Sequence, residues 1–207
     1  MAQTFDAVSV REASGIMLCR EYLGVDAQQV IDPTLLLDMD DYVKLIKRNT
    51  PQSSGTLMCY ALDQGKEVED IVSCIAKEKR LTPFYANSQT ENHRLTLEER
   101  VQPPVEQWLQ GFRDAKFVVT DSFHACIFSI LFKKTFVVIG NTSRGMTRFE
   151  SLLQMFGLEQ RLVSSYEAYK KKEDVLLRPI DYAPISRILA EKRDVAINFL
   201  QATLSSD

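Results

Sequence analysis

The sequence predicts an α/β protein in which helices cover both faces of a mostly parallel sheet. Short β-rich runs alternate along the chain with helical patterns, as they do in successive β–α–β units. The runs 117–119 and 136–139 are apolar throughout, which is typical of strands that have helices on both faces. A length of 207 residues with 45% hydrophobic content is that of a globular chain with a substantial core.

The strands and helices follow from these patterns in chain order. Residues 66–79 carry apolar side chains at helical spacing, and those of 104–115 fall at i, i+3, i+4 and i+7. Residues 122–132 are apolar nearly all round, so we expect a buried helix there. Pro184 suits the first position of the last helix. The predicted strands are 5–10, 29–31, 56–61, 82–85, 116–120 and 135–139, and the predicted helices are 13–23, 66–79, 104–115, 122–132 and 184–204.

Composition excludes several classes of protein. The net charge of −3, from 25 basic and 28 acidic residues, argues against a nucleic-acid or membrane-surface binder. The longest apolar stretches fall far below the roughly 18 residues of a membrane span. The four cysteines form no C-x-x-C pair and no secretory leader is seen, so we expect reduced thiols in a cytoplasmic protein. Dinucleotide, P-loop, zinc-ligand and hydrolase-elbow motifs are missing from the sequence.

One candidate site follows the strand 116–120. Asp121 or Ser122 would cap the following helix, and His124 would lie in its first turn. Helix N-termini at the carboxyl ends of parallel strands suit anionic ligands. The alternative, which weighs equally, is that His124 only packs and hydrogen-bonds near the cap.

A second candidate site follows the strand 135–139. Thr147 and Glu150 fit a capping box, which places Arg144 and Arg148 beside another helix N-terminus. Two arginines beside backbone N–H groups suit a carboxylate or phosphate, although both could be ordinary surface residues. His93, in the polar stretch 87–100, is expected to be solvated and uninvolved.

Two segments of the chain resemble the polysaccharide pyruvyl transferase family. They are 8–38, with VSVREASG and VIDPTLLLD, and 108–163, with the strand–TDSFH–apolar helix pattern. The resemblance implies one half of a GT-B-like enzyme with two Rossmann-like domains, which transfers pyruvate from phosphoenolpyruvate to a sugar as a ketal. It implies a bacterial enzyme of exopolysaccharide or capsule synthesis. Neither a cofactor nor a metal is needed for this chemistry.

The resemblance also assigns residues. His124 matches the histidine of the family's donor site, and Arg11 is a candidate for the arginine of its mid-chain motif. Ser122 stands where many members have arginine, and Ala125 stands where bacterial relatives often have glycine. We expect Ser122, His124, Arg144 and Arg148 to converge on one pocket, with Arg11 joining them if residues 1–48 pack as in the intact enzyme. Histidine could act there as an acid or as a phosphate ligand.

The same resemblance sets the expected organisation and partners. The linker-like stretch 47–55 would separate a β–α–β tail of the N-terminal half, 1–48, from a donor-binding domain, 49–207. The chain is then part of a longer enzyme or a natural short gene, and is expected to be inactive without the acceptor-side half. The expected acceptor is a sugar or lipid-linked oligosaccharide, which would bring peripheral membrane association. The last helix should pack on 1–48 or in a homodimer.

Two other functions remain open. The chain could be one half of a nucleotide-sugar glycosyltransferase, whose anionic donor would use the same helix N-termini. An acidic residue that binds the nucleoside would favour this function, and the sequence shows no clear candidate. A non-catalytic remnant or assembly module is the third alternative, favoured by Ser122 and by the missing half.

Overall fold

The computed structural model describes residues 2–63, 65–87, 96–101, 103–140 and 145–205. The described residues contain three short 3-10 helices, Ala2–Thr4, Pro33–Leu36 and Glu159–Arg161, and one π-helix, Cys19–Leu23. The strands of the described residues are β1 Val8–Val10, β2 Ala27–Gln29, β3 Leu57–Tyr60, β4 Pro83–Tyr85, β5 Phe117–Thr120, β6 Thr135–Ile139 and β7 Leu162–Val163. The helices are α1 Ala13–Leu18, α2 Met39–Val43, α3 Lys66–Lys79, α4 Leu97–Arg100, α5 Val105–Asp114, α6 Phe123–Leu131, α7 Thr147–Met155, α8 Tyr166–Leu176 and α9 Tyr182–Leu204.

The chain divides into two compact units. The first unit is Met1–Leu37 with Thr142–Glu159 and Asp181–Asp207, and the second unit is Asp38–Asn141 with Gln160–Ile180. In the first unit, β1 and β2 pair in parallel, and α1 lies between them in the chain. The separation into domains 1–48 and 49–207 stays a prediction.

A five-stranded parallel sheet forms the centre of the second unit, in the order β4-β3-β5-β6-β7. Alternate strand residues face opposite layers of helices. Leu57 and Cys59 belong to the buried cluster that includes α3 and α8. Met58 faces α5, where a Cβ on Gly111 would lie 3.2 Å from its Cε. The predicted α/β class, with a parallel sheet and helices on both sides, is confirmed.

An aromatic cluster fills the layer that contains α5 and α6. Phe112 is fully buried, and its ring centroid lies 4.7 Å from that of Trp108 and 5.7 Å from that of Phe128. Phe132 and Tyr42 extend the cluster. Aromatic rings at such spacings contribute packing energy beyond the area they bury. This cluster anchors α6, the helix that carries His124.

The last helix begins earlier than predicted. The carboxylate of Asp181 accepts the N–H of Ala183 at 3.0 Å and caps α9 at Tyr182, so Pro184 is its third residue and not its first. Its packing on residues 1–48 is confirmed in the first unit, where the Arg193 guanidinium donates to the carbonyl oxygens of Leu35 and Leu37, both at 2.6 Å. Beyond that contact Leu200 is 43% exposed and Leu204 76% exposed.

Replacing Arg193 by alanine is expected to lower the free energy of unfolding by about 1–3 kcal/mol, because two carbonyl groups lose a charged donor. Urea unfolding monitored by circular dichroism measures the change. Lys192→Ala, at the neighbouring exposed position of α9, is the matched control and should have little effect. Equal effects of the two substitutions would mean that the Arg193 contacts do not hold α9 in place.

A charged cluster joins α3 to α8. The Cys74 thiol donates to Glu173 Oε1 at 2.9 Å, and the Lys170 ammonium donates to Glu173 Oε2. These two donors hold the pKa of the Glu173 carboxyl below its ordinary value of 4.5. These hydrogen bonds favour the ionised carboxylate. They therefore stabilise the folded state fully at pH values where the carboxyl is ionised in both the folded and the unfolded protein.

This lowered pKa predicts a pH-dependent effect of Glu173→Gln. The stability that the wild type gains from the carboxylate is fully present above the ordinary pKa of 4.5 and is lost as pH falls through the lowered pKa. The difference in unfolding free energy between wild type and variant should therefore shrink with acidification below pH 4.5. Urea unfolding over a pH series tests this, with Glu167→Gln on the same helix as control. A difference that is constant with pH would contradict the assignment.

Candidate active site

The topology of the second unit places a crevice between β3 and β5. With β3 taken as the first strand, the order β4-β3-β5-β6-β7 corresponds to 2-1-3-4-5. Sheets of this order bind ligands beyond the carboxyl ends of the first and third strands, where the connections leave on opposite faces. Here β3 leads into α3 and β5 leads into α6. The candidate site therefore lies at the ends of β3 and β5.

Hydrogen bonds tie the loops at this edge together. The buried carboxylate of Asp121 accepts the backbone N–H of Leu62 at 2.6 Å and that of Asp63 at 2.8 Å. The side chain of Asn87, after β4, bonds to both the N–H and the carbonyl of Ala61. These contacts fix the loop that follows β3. The sequence patterns do not predict these contacts; a carboxylate directly after a buried strand is the signal that indicates a role for Asp121.

Ser122 and His124 occupy the start of α6 as predicted. The Ser122 hydroxyl oxygen accepts the N–H of Ala125 at 3.5 Å, so Ser122 caps the helix. Asp121 instead accepts hydrogen bonds from the loop after β3. His124 lies in the first turn and is exposed, while the rest of α6 is buried. Its ring packs edge-on against Phe123 with centroids 5.6 Å apart. The imidazole therefore faces outwards and not into the core.

The first unit contains Arg11 and Arg148. Arg11 Nη1 lies 2.9 Å from the carboxylate of Asp32, which is 5% exposed. The Arg148 guanidinium carbon lies 5.4 Å from the centre of the Phe149 ring, within the range of a cation–π contact. An ion pair with a buried carboxylate thus orients Arg11, and the Arg148 guanidinium packs on the neighbouring aromatic ring.

The capping box predicted for α7 is wrong. Thr147 is the first residue inside the helix, the N-cap position is Met146, and no side chain caps it. The Thr147 hydroxyl donates instead to the Glu12 carboxylate at 3.3 Å. This contact joins the segment after β1 to the start of α7, so the chain neighbours of Arg11 and Arg148 touch within the first unit.

The predicted residues thus fall into two groups. Ser122 and His124 lie in the second unit, and Arg11 and Arg148 lie in the first. Arg144 and His93 lie outside the described residues. Convergence of these side chains on one pocket stays a prediction.

A small cavity lies beside the crevice, between the ends of β3 and β4 and the start of α3. Its volume is about 30 Å³, and Cys59, Glu69 and Tyr85 are among the residues that line it. This volume holds water rather than a substrate. Burial, helped by the negative charge of Asp121, raises the pKa of the Cys59 thiol to about 12. Cys59 is therefore not a nucleophile at neutral pH.

Fold and site together define an α/β protein with a mostly parallel sheet and an exposed histidine at a helix N-terminus. This histidine follows the carboxyl end of a strand, at the sheet edge here called the ligand edge. The model of one protein family, polysaccharide pyruvyl transferase, matches residues 1–143 of the 207-residue chain. The protein therefore belongs to the polysaccharide pyruvyl transferase family, which implies a transferase. The match includes Arg11, Ser122 and His124, whereas Arg144 and Arg148 lie beyond it.

The comparison with curated protein sequences found no match to this chain. Among the helices that the structure describes, none is both long and apolar enough to cross a membrane.

Proposed function

We propose that the protein transfers pyruvate from phosphoenolpyruvate to two hydroxyl groups of a sugar, and that His124 acts on the donor. The observation that carries this proposal is the exposed His124 in the first turn of α6, at the ligand edge of the parallel sheet and inside the family match. A histidine that served only the core would be buried with the rest of the helix.

The chemistry of the donor suits these residues. Phosphoenolpyruvate carries a phosphate and a carboxylate, and the N-terminus of α6 supplies N–H groups and a positive dipole end. Ketal formation joins two sugar hydroxyl oxygens to the central carbon and breaks the bond from that carbon to the bridging oxygen, which leaves with the phosphate. Of the two hydroxyl protons, one is balanced by the proton that the methylene carbon gains, and the other by the proton that the phosphate gains. His124 is the proposed donor of the proton to the methylene carbon, since histidine is the side chain that most often acts as a general acid or base.

The remaining assignments extend this proposal. Arg11, Arg144 and Arg148 are the proposed ligands of the phosphate or carboxylate, and Ser122 is proposed to bind the donor from the start of α6. The protein would form the donor-side half of a GT-B-like cytoplasmic enzyme, active together with an acceptor-side half. Its acceptor would be a sugar or lipid-linked oligosaccharide at the membrane surface. The family match, which includes Arg11 and Ser122, supports a transferase role.

Ligand binding tests the proposal and separates it from the alternatives. The 207-residue protein is heated with phosphoenolpyruvate or with nucleotide sugars, and the unfolding temperature is recorded. A ligand present at 100 times its dissociation constant should add about 2.7 kcal/mol of stability. Stabilisation by phosphoenolpyruvate supports the proposal. Stabilisation only by a nucleotide sugar would indicate a glycosyltransferase, and no stabilisation by either would favour a non-catalytic module.

A further inference from the structure

Asp121 links two loops at the ligand edge of the second unit. It is 7% exposed, and its two carboxylate oxygens accept the N–H groups of Leu62 and Asp63 at 2.6 and 2.8 Å. A buried carboxylate is costly unless it is hydrogen-bonded, and two backbone donors provide that compensation. The loop after β3 is therefore tied to the first residue after β5.

Thr120 adds a second link at the same place. Its hydroxyl donates to the Tyr60 carbonyl at 2.6 Å and accepts the N–H of Ser122 at 2.9 Å. Tyr60 and Thr120 are also register partners in the ladder between β3 and β5. These bonds fix the point at which the chain leaves β5 and enters α6.

The position of His124 depends on this junction. His124 is three residues beyond Asp121, and its neighbours Phe123, Ala125 and Cys126 are buried. A helix packed in this way cannot rotate or slide without exposing apolar surface. Its first turn, however, is free to fray where the junction is loosened, and His124 lies in that turn.

We propose that Asp121 is a positioning residue, which holds the loop after β3 against the start of α6 and so fixes the His124 imidazole at the crevice. The part of this inference that concerns catalysis rests on the proposed function of His124. Asp121 does not touch the donor in this account. Its carboxylate already occupies the N–H groups of Leu62 and Asp63, so the donor phosphate binds elsewhere along the edge.

The test compares Asp121→Asn with a matched control, Asp114→Asn. The amide of the first variant keeps one acceptor oxygen, so one of the two backbone N–H groups loses its partner. Asp114 precedes β5 and so lies at the amino edge of the same sheet. Its carboxylate accepts the N–H of Ser53 at 2.8 Å. Both variants lose hydrogen bonding to a loop, but only Asp121→Asn does so beside His124.

Two measurements are made on each variant. Nuclear magnetic resonance (NMR) of the 207-residue protein records the His124 imidazole and amide exchange at Leu62 and Asp63. An assay with the proposed acceptor-side half and a sugar acceptor present records pyruvyl transfer. Asp121→Asn should accelerate the amide exchange, move the imidazole resonances and lower kcat/KM about ten- to a hundredfold, the scale of a misplaced catalytic group. Asp114→Asn should leave the imidazole resonances and kcat/KM unchanged.

The outcomes distinguish the positioning role of Asp121 from the proposed function of His124. Faster amide exchange with unchanged imidazole resonances would show that Asp121 only stabilises the loop after β3, and it would overturn the proposal. Failure of the wild type to bind phosphoenolpyruvate would overturn the proposed function, while the imidazole resonances would still decide the positioning role. If Asp121→Asn does not fold, Asp121→Glu keeps both acceptors on a longer side chain and should move the imidazole resonances. Unchanged resonances in that folded variant would also overturn the proposal.

Discussion

Replacing His124 by alanine is expected to reduce pyruvyl transfer by about two to four orders of magnitude, the range that a positioned general acid contributes. The fold should be unaffected, because the His124 side chain is exposed and its main packing contact is the edge of Phe123. The rate of phosphate release from phosphoenolpyruvate, with the acceptor-side half and a sugar acceptor present, measures the loss, and circular dichroism checks the fold.

Glu167→Ala is the matched control for this substitution. Glu167 is exposed and, like His124, is the second residue of a helix that follows a strand of the same sheet. It should leave the transfer rate unchanged. Normal transfer by His124→Ala would reduce His124 to a surface residue and would remove the proposed acid.

Replacing Phe112 by alanine is expected to cost about 3–5 kcal/mol of unfolding free energy, which is typical of a buried phenylalanine. Phe112 is fully buried and contacts the rings of Trp108, Phe128 and Phe132, so the cavity would open among aromatic side chains that cannot easily collapse into it. Urea unfolding measures the loss.

Phe5→Ala provides the comparison for Phe112→Ala, since Phe5 is 66% exposed. It should change the unfolding free energy by less than about 0.5 kcal/mol. A small loss in the Phe112 variant would show that the cluster is not the anchor of α5 and α6.

Periodic and buried elements of the fold could be predicted from the sequence. Helix α3 has the predicted bounds, 66–79, because its apolar residues recur at helical spacing beneath a polar face. Strand β6 has the predicted bounds 135–139, because a continuous apolar run between polar residues defines both ends of the strand.

Short elements without such a pattern were mispredicted. Strand β7 has two residues and pairs only with the end of β6, so its sequence carries no period. Strand β1 begins at Val8 and not at residue 5, since Phe5 lies exposed outside the ladder. In both cases tertiary pairing decides the bounds, and local preference does not.

The candidate site was predicted in part. A Ser cap followed by histidine in the first turn is a local pattern, and the structure places Ser122 and His124 accordingly. The bonds from Asp121 to Leu62 and Asp63 span 59 and 58 residues, so they depend on strand order. Thr147 likewise bonds to Glu12 across 135 residues rather than to its own helix. Short-range patterns do not contain such contacts.

The central claim is that phosphoenolpyruvate binds beside His124, and an NMR titration of the 207-residue protein tests it most directly. We expect added phosphoenolpyruvate to shift the resonances of the His124 imidazole and of the backbone amides of Phe123 and His124, and these shifts should saturate together. Inorganic sulfate at matched ionic strength controls for a general anion effect. Saturating shifts confined to other parts of the sheet edge, or the same shifts with sulfate alone, would contradict the claim.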